Sequence, residues 1–225
     1  MASVNLGLMP DGWTAVVALA DVSRRSLYEY VRRQGRPVSR EEAGDATGMS
    51  RGLAAFHLEK LVDAGLLRTE AQAPSGVRRG RGRTPKVYEA VGEGLAVAIP
   101  QRRYELIAEI LADAVADDPA DAGEAARRLA TGRGQALGAG LRGGSSLMDA
   151  LAEVGFEPES ERDTVVLRNC PFHVLAARQT ALVCGLNLAF VVGILQGLEV
   201  TGVQAQLAPR PGYCCVEVTG EARLE

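Results

Sequence analysis

The first residues, MASVNLGLMPDGW, lack the basic start and continuous apolar run of a secretory signal, so the expected location is the cytoplasm. Uninterrupted apolar stretches are scarce as well. The most apolar segment, 181–200, is broken by Asn187, Gln196 and Glu199, whereas a bilayer span needs about 20 predominantly apolar residues. A buried core helix is expected there, and no membrane partner. Cysteine is absent before residue 170, which confines any thiol chemistry to the last quarter of the chain. No strong set of acid, base and nucleophile is visible; Cys170 and His173 come nearest to a thiol-enzyme pair, and an enzyme is not expected.

What the chain has is an ordinary globular composition, 47% apolar and 24% charged over 225 residues, enough for two modest domains. Its net charge of −3 hides an asymmetry. Residues 1–90 carry 14 basic and 10 acidic side chains, a balance of +4, and residues 91–225 carry 11 and 18, a balance of −7. A basic module precedes an acidic one, and the basic one is the candidate for a polyanionic partner. The expected organisation is α+β: a winged helix-turn-helix over 1–98, a linker or dimerisation helix over 99–119, and an α+β sensor domain over 120–225.

Within the basic module, the segment 13–35 has helical spacing of Val16, Val17, Leu19, Leu27, Tyr30 and Val31 and stops at Gly35 and Pro37. Ser39, followed by Glu41 and Glu42, caps a short helix ending near Gly48. Ser50 caps a second helix ending at Gly65, with Leu53, Phe56, Leu58, Leu61 and Val62 as its expected buried stripe. Two helices joined by a tight turn are what a helix-turn-helix needs, and the second then reads bases from its N-terminal end. That assigns Ser50, Arg51 and Gly52 to the major groove of a double-stranded operator, with Ala54, Ala55 and His57 further along the exposed side and His57 and Lys60 expected to touch phosphate or water. Arg51 is the best base-contact candidate, because an arginine bonds guanine O6 and N7 together. Two extended runs, near 66–70 and 86–91, flank a loop holding Arg78, Arg79, Arg81 and Arg83, followed by Lys86: a hairpin with a basic tip that suits phosphate. The string SRGLAAFHLEKLVDAGLL with the hairpin ending TPKVYEA resembles the winged-helix repressors of the ArsR and DeoR-like groups over residues 14–92.

Beyond it, Tyr104, Ile107, Ile110, Leu111 and Val115 lie on one helical stripe; a helix is expected over 120–137, a short one over 147–154, a strand over 164–168, a loop from Cys170, a helix through Cys184 and two strands about the turn PRPG. Clustered cysteines in a cytosolic protein point to metal or redox use before disulfides. Cys214 alternates onto the side of Val216 and Val218, making it a better inward ligand than Cys215, while small buried apolar residues remain the plain alternative. The strings NCPFHVLA, VCGLN and PGYCCVEV resemble the sensor domain of SufR-like regulators of iron-sulfur cluster assembly. That resemblance implies a homodimeric repressor holding an iron-sulfur cluster on Cys170, Cys184 and Cys214. His173 and Cys215 are candidates for a fourth position, as are Asn187 and a small exogenous ligand. Zinc on the same residues, a metal-free thiol sensor and a small-ligand sensor stand as alternatives.

Overall fold

The computed structural model describes residues 12–71, 86–92 and 96–220, and the chain divides into two compact units, 1–97 and 98–225. In the first unit the run expected over 13–35 is two helices, α1 (Gly12–Ala20) and α2 (Val22–Gln34). They break at Asp21, whose carboxylate accepts the Arg24 N–H at 2.9 Å and so caps α2. Strand β1 (Val38–Ser39) leads into α3 (Arg40–Thr47), and α4 (Arg51–Asp63) follows. Gly48, at φ +70°, turns the chain between α3 and α4 in the left-handed region, which a residue without Cβ adopts freely. Strands β2 (Leu67–Ala71) and β3 (Lys86–Ala90) pair antiparallel, and β3 also pairs with β1, giving the order β1-β3-β2. This is a winged helix: Leu27, Val31, Val38, Leu58, Leu61, Leu67 and Tyr88 bury the inner faces of helices and sheet in one core.

The second unit starts with α5 (Tyr104–Asp117), α6 (Ala122–Leu141) and α7 (Leu147–Val154). The segment read as a separate linker or dimerisation helix is α5, and it belongs here: Ile107, Ile110 and Ala114 are buried in this unit's core. Ser146 and Asp149 close a reciprocal capping box on α7. Then come β4 (Pro158–Glu161), β5 (Thr164–Leu167), α8 (His173–Arg178), α9 (Thr180–Leu198), β6 (Val203–Leu207) and β7 (Val216–Gly220). The four strands form one antiparallel sheet in the order β4-β5-β7-β6. The segment after Cys170, expected as a loop, contains α8. Strand β4 was not expected either, since Pro158, Glu159, Ser160 and Glu161 are mostly exposed and show no apolar alternation.

Helices α6 and α9 run side by side in the same direction. Gly134 faces Phe190 and Gly193, and Gly138 faces Ile194 and Gly197, so two glycines spaced by four meet two others. Bare backbone on both sides lets the axes approach more closely than side chains allow. Gln135 donates to Gln196 at 2.6 Å, and Arg142 closes the end of the pair on the Gly197 carbonyl at 2.8 Å. By length and apolarity α9 alone among the described helices passes for a membrane span, yet 56% of its apolar window is buried inside the unit.

Candidate functional site

Helix α4 is positioned from both ends. The Ser50 hydroxyl accepts the Leu53 N–H at 3.3 Å, and Ala54, Leu58 and Leu61 are fully buried. The buried stripe therefore runs through Ala54, His57, Leu58 and Leu61, at i, i+3, i+4 and i+7; Leu58 and Leu61 are inside as expected, while Ala54 and His57 take the places expected for Leu53 and Phe56. This corrects the base-reading set. Ala54 is 0% exposed and His57 only 8%, so neither presents a side chain to a groove, while Leu53 and Phe56, expected inside, are 45% and 55% exposed. The periodicity was readable once Ala54 and His57 are counted as interior. Gly44 explains why a small residue suits position 54: a Cβ on Gly44 would lie 3.3 Å from that of Ala54, where α3 crosses α4.

The exposed face of α4 carries Ser50, Arg51, Gly52, Phe56 and Lys60. Arg51 pairs with Glu41 at 2.8 Å, Lys60 with Asp63 at 3.2 Å, and Lys86 with Glu59 at 2.8 Å. Such exposed pairs contribute about 0–1 kcal/mol each, so breaking one costs little. Arg78, Arg79, Arg81 and Arg83 lie outside the described residues.

Glu59 ties helix to wing, accepting from Lys86 and from the Tyr88 hydroxyl, each at 2.8 Å. The Lys86 hydrogen bond, aided by that of Tyr88, holds the Glu59 carboxyl below its ordinary range. A carboxylate whose pKa falls on folding contributes stability above its unfolded value, about 4.3, and loses it as pH falls through the folded one. Glu59→Gln is accordingly expected to change neutral-pH stability by no more than about 1 kcal/mol and to flatten the acid limb below about pH 4.3. Thermal unfolding over a pH series checks this; equal acid limbs in both proteins would refute the tie.

In the second unit the fold brings the four thiols together. Cys170 follows β5, Cys184 lies in α9, and Cys214 and Cys215 precede β7. The Cys214 N–H donates to the Leu167 carbonyl at 2.8 Å, and the Ala208 N–H to the Cys215 carbonyl at 2.8 Å, fixing this last pair against neighbouring backbone. Cys214 interacts electrostatically with Cys170 and Cys215, and Cys215 in turn with Cys184, so the four thiols lie in a row of neighbours. Donation from Cys170 and Cys215, helped by the Val216 N–H and Asn187, pulls the Cys214 thiol down to about 3. Its neighbours move the other way, Cys170 and Cys215 upward, because of their interaction with Cys214 and the burial of Cys170 and partial burial of Cys215.

Asn187, 1% exposed, donates from Nδ2 to Cys214 Sγ at 3.0 Å, and its Oδ1 is buried with no hydrogen-bond partner. An unpartnered buried amide oxygen beside four thiols suits a positively charged or hydrogen-bonding guest. The donor chemistry fits an iron-sulfur cluster or zinc, since thiolates are ligands of both. Among the described residues, however, no three His, Cys, Asp or Glu side chains are drawn into a metal-binding arrangement. His173 does not join the row as a visible ligand: its backbone N–H reaches the Cys170 carbonyl at 3.0 Å while its side chain is exposed.

Residues 19–70 match a helix-turn-helix domain, a stretch that takes in α2, α3, α4 and most of β2. With the wing observed beside it, this match supports DNA-binding transcriptional regulation as the function of the chain. No curated protein and no solved structure matches.

Proposed function

We propose that the chain is a transcriptional repressor that binds a palindromic operator as a homodimer and senses iron-sulfur or redox status through Cys170, Cys184 and Cys214. The thiols carry this reading: Cys170, Cys184 and Cys214, far apart in sequence, are all buried in one unit, and Asn187 of the Cys184 helix reaches Cys214 Sγ at 3.0 Å. Cys170, Cys184 and Cys214 would hold the group, with Cys215 or Asn187 beside them, and the bound cluster supplies one-electron redox chemistry and oxygen lability. The protein's own part is to bind and shield it.

The test is anaerobic purification followed by a visible absorption spectrum and analysis for iron, sulfide and zinc. A brown protein with iron and sulfide in near-equal amounts supports the cluster. Colourless protein with zinc assigns the site to zinc. A metal-free thiol sensor is the second reading, since Cys170 and Cys214 are both free thiols in the same unit; metal-free protein whose DNA binding changes on thiol oxidation would establish that reading and overturn the cluster.

A further inference from the structure

Two features of α4 have no explanation inside the protein. Gly52 sits in the first turn of the helix, where glycine is unfavourable relative to alanine, yet a Cβ built there meets nothing within 4 Å and no positive φ calls for it. Phe56, one helical turn further on, leaves 55% of a large aromatic side chain in water. Side chains on a helix lean towards its N-terminus, so the Phe56 side chain leans over the turn that carries Gly52. Its ring is steadied edge-on by His57, with centroids 5.2 Å apart. Arg51, Lys60 and Lys86 line the same open depression as Phe56, each paired with a carboxylate that lines it too, Glu41, Asp63 and Glu59.

We propose that Gly52 and Phe56 form a seat for the 5-methyl group of a thymine in the major groove of the bound duplex. The inference rests on the DNA-binding reading above and names what that interface discriminates. Phenylalanine contact is an established way to read the thymine methyl, the one apolar group that the major groove offers. Gly52 keeps the approach clear, because a side chain there would stand between the base pair and the ring. Arg51, in the same turn, reads a guanine nearby, so the pair of residues gives the site a second, apolar criterion beside a polar one.

The full-length protein is used to select duplexes from a random-sequence pool, and each thymine of the selected site is then replaced singly by deoxyuridine, which lacks only the methyl group. Wild type is expected to lose about fourfold in affinity at one thymine per half-site, the worth of one buried methyl-sized group. Phe56→Ala should bind the thymine and deoxyuridine duplexes equally, whereas Arg51→Ala should weaken both and keep the difference between them. Gly52→Ala should melt at a higher temperature than wild type and bind the selected duplex at least about fourfold more weakly. Indifference of wild type to every deoxyuridine substitution, retained discrimination in Phe56→Ala, or undiminished binding by Gly52→Ala would each overturn the seat while leaving the DNA-binding reading intact. Selection of no duplex at all would overturn that reading and the seat with it.

Discussion

Replacing Gly134 with alanine is expected to destabilise the second unit by about 3 kcal/mol or more, at the upper end of what overpacking costs. The new Cβ would lie 2.1 Å from the Phe190 carbonyl oxygen and 2.9 Å from the Ile194 nitrogen. Those are backbone atoms of α9, so no rotamer change relieves the clash and the helices must separate. Gly193→Ala meets the mirror image of the problem, at 2.1 Å from the Thr131 carbonyl oxygen. At about 3 °C per kcal/mol, a fall in Tm of about 10 °C is expected for either variant. Because Gly134 and Gly193 face each other, the double variant should lose less than the sum, once the first substitution has already spread the helices. Gly132→Ala and Gly140→Ala provide the contrast: both positions are helical with nothing within 4 Å of a built Cβ. They should gain about 0.5–1 kcal/mol from helix propensity alone. Thermal unfolding of the four single variants decides it. Equal effects at Gly134 and Gly132 would show that the close packing of α6 on α9 is not what holds this unit together.

Those glycines also mark where the sequence could be read and where it could not. Local signals acted through local physics and were legible: Ser39 and Ser50 cap helices, Gly48 turns, and α7 spans Leu147–Val154 as its apolar spacing implies. The helix expected to end at 137 runs on to Leu141 although glycine lowers helix propensity, and of the glycines in ALGAGLRGG it is Gly138 that packs on a helix more than 50 residues away. Tertiary contact overrode propensity there. In α4 the C-terminal part of the stripe, Leu58 and Leu61, was legible and its start was not, since Phe56 reads as core and His57 as surface on composition alone. The inward side of Cys214 followed from strand alternation with Val216 and Val218. Its contact with Asn187 needed the fold, because α9 and the segment before β7 meet only when the sheet is assembled.

Cys184→Ser is expected to abolish the response of DNA binding to the sensed group while leaving the affinity of the group-free protein unchanged. Cys184 is buried in α9 and joined to the row through Cys215, whereas the DNA-contacting candidates belong to the other unit. Serine is slightly smaller than cysteine and keeps a hydrogen-bonding group, so the fold should survive. Helix α9 holds Cys184 and Asn187 at one end and Gly193 and Gly197 against α6 at the other. A change at the thiols therefore reaches α6 through one rigid element, and close backbone packing resists gradual adjustment in favour of discrete arrangements. If the sensed group alters operator affinity a hundredfold, it must favour one arrangement by about 2.7 kcal/mol, within the ordinary range of coupling free energies. Arg51→Ala should do the converse, lowering operator affinity by about 1–3 kcal/mol in both states while leaving the content of bound metal or sulfide unchanged. Titrations of a selected duplex with each protein, loaded and stripped, give the four affinities that the comparison needs. A Cys184→Ser protein that keeps the hundredfold difference would remove the thiol row from the switch, and an Arg51→Ala protein with altered metal content would show that the two units do not divide the work in this way.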